Sequence, residues 1–198
     1  MPRWFTGLEL PLQVRESLAR LRQPLPGARW IEPRDLHLTL RFFGDIDTLT
    51  ARELESFLEQ IEADAFELTL TSLGAFGGND PRTVWAGVAP CPQLTALAQA
   101  NERAARMAGL QPEARNFQAH ITLARLRNSD APAVARYLQR HGGFRCGPIE
   151  IDKFVLFGSK PRTGGGPYSV EQVFPLRGFT WDEDDEHQDD QEGRAWKN

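Results

Sequence analysis

The chain has 198 residues, 40% hydrophobic and 25% charged, a balance that suits one soluble globular domain or two closely joined lobes. No apolar run approaches the roughly 18 residues of a membrane span. MPRWFTGLELPL lacks the basic start and long apolar stretch of a signal peptide, so a cytoplasmic protein without membrane association is expected. The net charge of −4 hides two unlike parts. Residues 181–198 hold eight acids and two bases, whereas residues 1–180 hold 21 bases against 19 acids, and 19 of those bases are arginine. Arginine's planar fork matches phosphate, so the body suits a nucleotide or nucleic-acid substrate, although a GC-rich genome would also favour Arg. Cys91 and Cys146 have no metal-type spacing, and reduced thiols are expected.

RWFTGLELP (3–11) has strand character and stops at Pro11. PLQVRESLARLR then puts Leu12, Val14, Leu18 and Leu21 at near-helical spacing, predicting a helix to about Arg22. QPLPGARWIEP, broken by its prolines and glycine, reads as a loop. A strand from about Leu36 to Gly44 follows, then the amphipathic TARELESFLEQIEA, where Thr50 followed by Glu53 resembles a capping box. FELTLTSLGAF and TVWAGVA form a hairpin around GGNDPR. Pro92 opens the next helix and Gly109 closes it. The remainder reads as a strand over about Phe117–Leu126, a helix APAVARYLQRHGG, and two strands, IEIDKFVLFGSK and YSVEQVFPLRG, joined by PRTGGGP. From Asp182 onward the acidic run has too little apolar content to offset its ordering entropy, so residues 181–198 are expected to be a disordered tail on a domain of residues 1–180. This order resembles one unit written twice. It predicts an α+β fold, a bilobal duplicated unit with two antiparallel sheets facing a central cleft and helices on the outer faces.

One short pattern occurs once in each half: HLTL at 37–40 and HITL at 120–123. Side chains alternate along a strand, so residues i and i+2 share a face. His37 with Thr39, and His120 with Thr122, therefore face one way while Leu38, Leu40, Ile121 and Leu123 anchor the other. A lone strand histidine is ordinarily a hydrogen-bonded structural residue. Repetition in matching settings, by two of only four histidines, favours chemistry. Displacement at phosphorus is in line, so it needs a base at one end and an acid at the other. Histidine, with a reference pKa of about 6.5, supplies either.

The paired motifs, 83 residues apart, resemble the 2H phosphoesterase superfamily. More closely, the chain is similar to the RNA 2′,3′-cyclic phosphodiesterases formerly called 2′-5′ RNA ligases. RWFTGLELP, LHLTLRFFGD, RTVWAGV, HITLAR and YSVEQVFPLRG carry that resemblance over about residues 3–178. It implies a bilobal α+β fold, no metal or other cofactor, and hydrolysis of RNA 2′,3′-cyclic phosphate ends to a 2′-phosphomonoester. The substrates it implies include tRNA fragments and small cyclic nucleotides; a monomer is expected. By resemblance His37 is the proton donor to the departing 3′ oxygen, His120 is the proton acceptor that activates water, and Thr39, Thr122 and Arg125 hold phosphate oxygens. Gln118 and Ala119 precede His120 where relatives often carry Pro, which bears on loop geometry rather than chemistry. Strict alternation from His120 puts Ala124 rather than Arg125 on the active face, so a bulge or the strand's end must redirect Arg125. By the same parity Arg41 shares the face of His37 and is a second candidate for phosphate contact, with a surface salt bridge as the alternative for either arginine.

Three other readings compete. Asp35, His37 and His120 would form only a partial metal set, with no HExxH or paired cysteines to complete it. An RNA-end binding module without turnover would leave two histidines surplus. Joining of RNA ends would use the same acid and base with a hydroxyl replacing water. Phe5 or Phe76 near the cleft is a candidate for stacking on a base, though packing is the commoner role. SKPRTGGGP lacks the P-loop order and gives no indication of ATP binding; its Lys160 and Arg162 could brush RNA.

Overall fold

The computed structural model describes residues 3–159 and 167–178. The acidic tail and the loop carrying Lys160 and Arg162 lie outside the described residues. In chain order the elements are β1 (Arg3–Glu9), α1 (Leu12–Ala19), β2 (Ala28–Trp30), a 3-10 turn (Pro33–Asp35), β3 (His37–Asp45), α2 (Thr48–Leu58), β4 (Phe66–Phe76) and β5 (Thr83–Val88). They continue with α3 (Pro92–Met107), β6 (His120–Leu126), α4 (Ala131–Arg140), β7 (Arg145–Ile151), β8 (Lys153–Ser159) and β9 (Tyr168–Pro175).

The helices start where a side chain can accept from their free N–H groups. Asp47 caps α2 by accepting from Leu49 N and Thr50 N at 2.9 and 3.0 Å, and Asp130 caps α4 by accepting from Ala133 N at 3.2 Å. The capping box expected at Thr50 is thus displaced by one turn. The Asp47 carboxylate satisfies the orphan donors first, and Thr50 becomes a first-turn residue whose hydroxyl also bonds Asp47. Gly109, at φ +80°, closes the end of α3 in the left-handed conformation that favours glycine.

The strands form one antiparallel sheet in the order β7-β4-β5-β6-β3-β1-β8-β9, with β2 alongside β6. The expected pair of sheets is present as two four-stranded halves, β7-β4-β5-β6 and β3-β1-β8-β9. They are joined where β3 meets β6 through one residue pair, Leu38 and Ile121. The main core packs inward-facing strand residues such as Leu38, Leu40, Ile121 and Leu123 against Leu18, Leu54, Leu58, Leu94, Leu97 and Val134 of the helices. Each fully buried aliphatic side chain there contributes about 1.5–3 kcal/mol. A smaller cluster, Phe5, Val155 and Phe157 with Tyr168 packed on it, is separate from that core.

Two sequence expectations change. IEIDKFVLFGSK is two strands rather than one. The chain breaks at Asp152, whose carbonyl accepts from Leu176 N at 2.7 Å, and so passes from β7 beside β4 in one half to β8 beside β1 in the other. The charged pair Asp152–Lys153 marks the break, but strand character continues on both sides of it, so the stretch reads as one strand. Part of the predicted loop QPLPGARWIEP is β2, held by its pairing with β6 from Ala28 opposite Leu126 to Trp30 opposite Ala124.

Candidate active site

β3 and β6 run antiparallel, and their one pairing falls on the middle residue of each motif, Leu38 opposite Ile121. Continuing that register by one residue sets His37 across from Thr122 and Thr39 across from His120. A pseudo-twofold axis therefore passes between Leu38 and Ile121, both fully buried. The two His and two Thr side chains stand half-buried on the opposite face.

The local chemistry repeats as well. His37 Nδ1 lies 2.7 Å from the carbonyl oxygen of Asp35, and His120 Nδ1 lies 2.7 Å from that of Gln118. A carbonyl only accepts, so Nδ1 carries the proton in both rings, and Nε2 is left to take or give one. In each case the carbonyl belongs to the residue two positions before the histidine, so the approach to the strand orients the ring. Asp35 does this from the 3-10 turn, while its Oδ1 accepts from Tyr168 N at 3.3 Å. Asp35 thus orients two neighbours, His37 through its carbonyl and Tyr168 through its carboxylate. Among the described residues no three of His, Cys, Asp and Glu come close enough to hold a metal ion.

Beyond the motifs both strands slip by one residue. In β6 the register with β5 shifts between Val84 opposite Ala124 and Trp85 opposite Thr122, and in β3 the register with β1 shifts between Thr6 opposite Arg41 and Gly7 opposite Thr39. The extra residue puts two successive side chains into the core and reverses the alternation after it. Leu123 and Ala124 are both buried, and Arg125 emerges exposed on the face of His120. The same slip defeats the parity reading of Arg41. It is only 9% exposed and turns away from the histidine face. Its Nε donates to Glu102 Oε2 at 2.5 Å, its Nη2 donates to the Gln111 carbonyl at 2.7 Å, and Glu113 lies 3.7 Å away. Arg41 ties β3 to α3 and to the segment leading to His120; it does not share the face of the two histidines. The residue that takes the place of Arg125 in the first copy is Phe42, 52% exposed, which the sequence reading missed. Two motifs aligned on their histidines would have found it, since each lies five residues after its histidine.

The halves differ most in what surrounds the imidazoles. His37 is boxed by Phe5 at 4.8 Å, Phe157 at 5.4 Å and the edge of Tyr168 at 5.0 Å between ring centroids. His120 meets Phe76 edge-on at 5.1 Å and Trp85 at 6.3 Å. Phe5 is buried, so it packs beneath His37 and offers no face for a base. Burial in this aromatic box lowers the His37 pKa to about 4. The Asp35 carbonyl and carboxylate oppose that shift, while electrostatic interaction with His120 and Arg125 adds to it. Burial also raises the Tyr168 hydroxyl, against the hydrogen bonding and charge of Arg125. Tyr168 thus contacts His37 and lies within reach of Arg125, which brings residues of both halves to one place.

Residues 10–157 match the profile of the 2′-5′ RNA ligase superfamily. The RNA 2′,3′-cyclic phosphodiesterase of Aeropyrum pernix is 32% identical over 73% of this chain and 82% of its own length. That of Aquifex aeolicus is 29% identical over 89% of this chain and 98% of its own. Among solved structures, Escherichia coli LigT complexed with 3′-AMP superposes with a TM-score of 0.72 at 26% identity, covering 89% of this chain and 99% of that one. The chain belongs to the 2′-5′ RNA ligase superfamily, the two-histidine phosphoesterases.

Proposed function

We propose that this protein is an RNA 2′,3′-cyclic phosphodiesterase that works by acid/base catalysis between His37 and His120. The observation that carries this reading is the Leu38–Ile121 pairing, which sets two His-x-Thr units about one pseudo-axis with both Nδ1 atoms bonded to carbonyls. With the cyclic phosphate between the rings, His120 Nε2 takes a proton from water as its oxygen bonds to phosphorus. The bond from phosphorus to the 3′ oxygen breaks, and His37 Nε2 gives that oxygen its proton. A 2′-phosphomonoester and a free 3′-hydroxyl remain. Thr39 and Thr122 donate to the non-bridging oxygens, and Arg125 balances their charge. Neither step uses a metal.

His37 is neutral at pH 7 in the unliganded protein, with its pKa near 4. An anionic phosphodiester beside it favours the imidazolium, so substrate itself charges the acid. Phe42 offers its exposed ring to the base of the terminal nucleoside. The same pair serves the joining of RNA ends when a 5′-hydroxyl replaces water. Water outcompetes that hydroxyl in dilute solution.

Replacing His120 separates turnover from mere binding. His120→Ala is expected to hold a 2′,3′-cyclic-ended oligoribonucleotide as tightly as the wild type while hydrolysis falls roughly 10²–10⁴-fold. A wild-type protein that binds such an end and never opens it would instead establish an RNA-end binding module.

A further inference from the structure

We infer that a small cavity behind His37, lined by Arg15 and Arg34, is a second phosphate subsite that receives the phosphate on the 5′ side of the terminal nucleoside. The cavity has a volume of about 70 Å³, and His37, Phe157 and Tyr168 also line it. Its walls come from α1, the 3-10 turn and the β3-β1-β8-β9 half, and none of them from the half that carries His120. Arg15 enters from α1 and Arg34 from the 3-10 turn. Among the described residues neither guanidinium has a carboxylate within ion-pair distance: the pairs found there belong to Arg22, Arg41, Arg82, Arg115 and Arg177. Arg15 Nε is buried with no acceptor. A buried charged donor without an acceptor is costly and rare in folded proteins; that Nε is itself sealed off, and it is the rest of the half-buried Arg15 side chain, with the exposed Arg34, that lines the cavity and can meet an anion supplied from outside.

Two carboxylates also reach the cavity, Asp35 and Glu9. Asp35 Oδ1 accepts from Tyr168 N, while Glu9 is exposed at the end of β1.

The direction of the chemistry identifies the ligand, and this step rests on the hydrolase reading above. In-line displacement with water at His120 sends the ribose to the His37 side. The rest of the RNA leaves that ribose through its 5′ oxygen, so the next phosphate lies further from His120, where the unmatched arginines stand. Phosphate contacts of this kind position the strand without reading its sequence. The subsite therefore favours 5′-phosphorylated or longer ends over a bare nucleoside cyclic phosphate, whatever the base.

The test compares uridine 2′,3′-cyclic phosphate, its 5′-phosphorylated form and a dinucleotide with the same cyclic end. Wild type is expected to show KM about tenfold lower for the two substrates that carry the extra phosphate, for two charge-assisted contacts. Arg15→Gln with Arg34→Gln should erase that advantage and leave kcat/KM on the bare nucleotide within about twofold. An advantage that survives in the double variant, or an equal loss on all three substrates, overturns the subsite. Should wild type hydrolyse none of them, the hydrolase reading fails separately. Equilibrium binding of uridine 5′-monophosphate against uridine then decides the subsite: tighter binding of the phosphate that vanishes in the double variant supports it, and equal binding in wild type overturns it.

Discussion

His37 is the residue at which folding and chemistry most visibly oppose each other. Its aromatic box holds the imidazole neutral, with a pKa near 4 in place of 6.5. In the unfolded chain the same ring takes up a proton near pH 6.5. Between pH 6.5 and 4 the unfolded state therefore binds more protons, and stability falls as the pH drops through that window; below 4 both states are charged and the loss levels off. The shift sets an upper bound of about 3 kcal/mol on this contribution, reduced by the partial exposure of the ring. His37→Gln should accordingly lose less stability than wild type between pH 7 and 4 in urea titrations. Parallel curves for the two proteins would show that the ring is not held neutral by its surroundings. The identity of His37, His120, Thr39 and Thr122 as one group was legible because the motif repeats. The box was not, because Phe5, Phe157 and Tyr168 come from three different strands with nothing in their spacing to tie them to His37.

Strand alternation predicted the histidine faces correctly and then failed within four residues. One extra residue in each of β3 and β6 moves Arg125 onto the histidine face and Arg41 off it. The sequence hinted at this only in β6, where the charged Arg125 would otherwise have faced the core. A bulge depends on the neighbouring strand as much as on its own residues, so parity along one strand could not place it. The strands behind the site show the same dependence. Trp85 on β5 lies flat across Gly74 on β4 and beside Gly87, and a Cβ on Gly74 would overlap the indole. Trp85 in turn packs against Phe76 at 5.2 Å and supports His120. Gly74→Ala should therefore cost about 1–3 kcal/mol by overpacking and lower kcat more than it raises KM, as read by denaturant unfolding and steady-state turnover. Unchanged kcat in a destabilised variant would mean that the indole does not position His120.

At the scale of the molecule, the duplication read from the order of elements is real, but the halves are joined edge to edge through Leu38 and Ile121. That join makes two similar units into one site, and their differences make it directional. One half surrounds its histidine with Phe5, Phe157 and Tyr168; the other flanks His120 with Phe76 and Trp85 and exposes Arg125, whose charge is felt by His37 and Tyr168 across the join. No helix of the described residues is long and apolar enough to cross a membrane. The crossing from β7 to β8 completes both halves, and it stayed hidden in the sequence because strand partners more than 70 residues apart leave no mark on the local pattern.

The claim that two imidazoles work on opposite sides of a single phosphorus is tested most directly by product analysis. Wild type, His37→Ala and His120→Ala are incubated, with chelator present, on an oligoribonucleotide ending in a 2′,3′-cyclic phosphate, and the 2′- and 3′-phosphate products are resolved. The account predicts the 2′-phosphate alone from wild type, with each variant slower by roughly 10²–10⁴-fold. A 3′-phosphate product would reverse the proton traffic, and near-full activity in either variant would contradict the two-histidine mechanism outright.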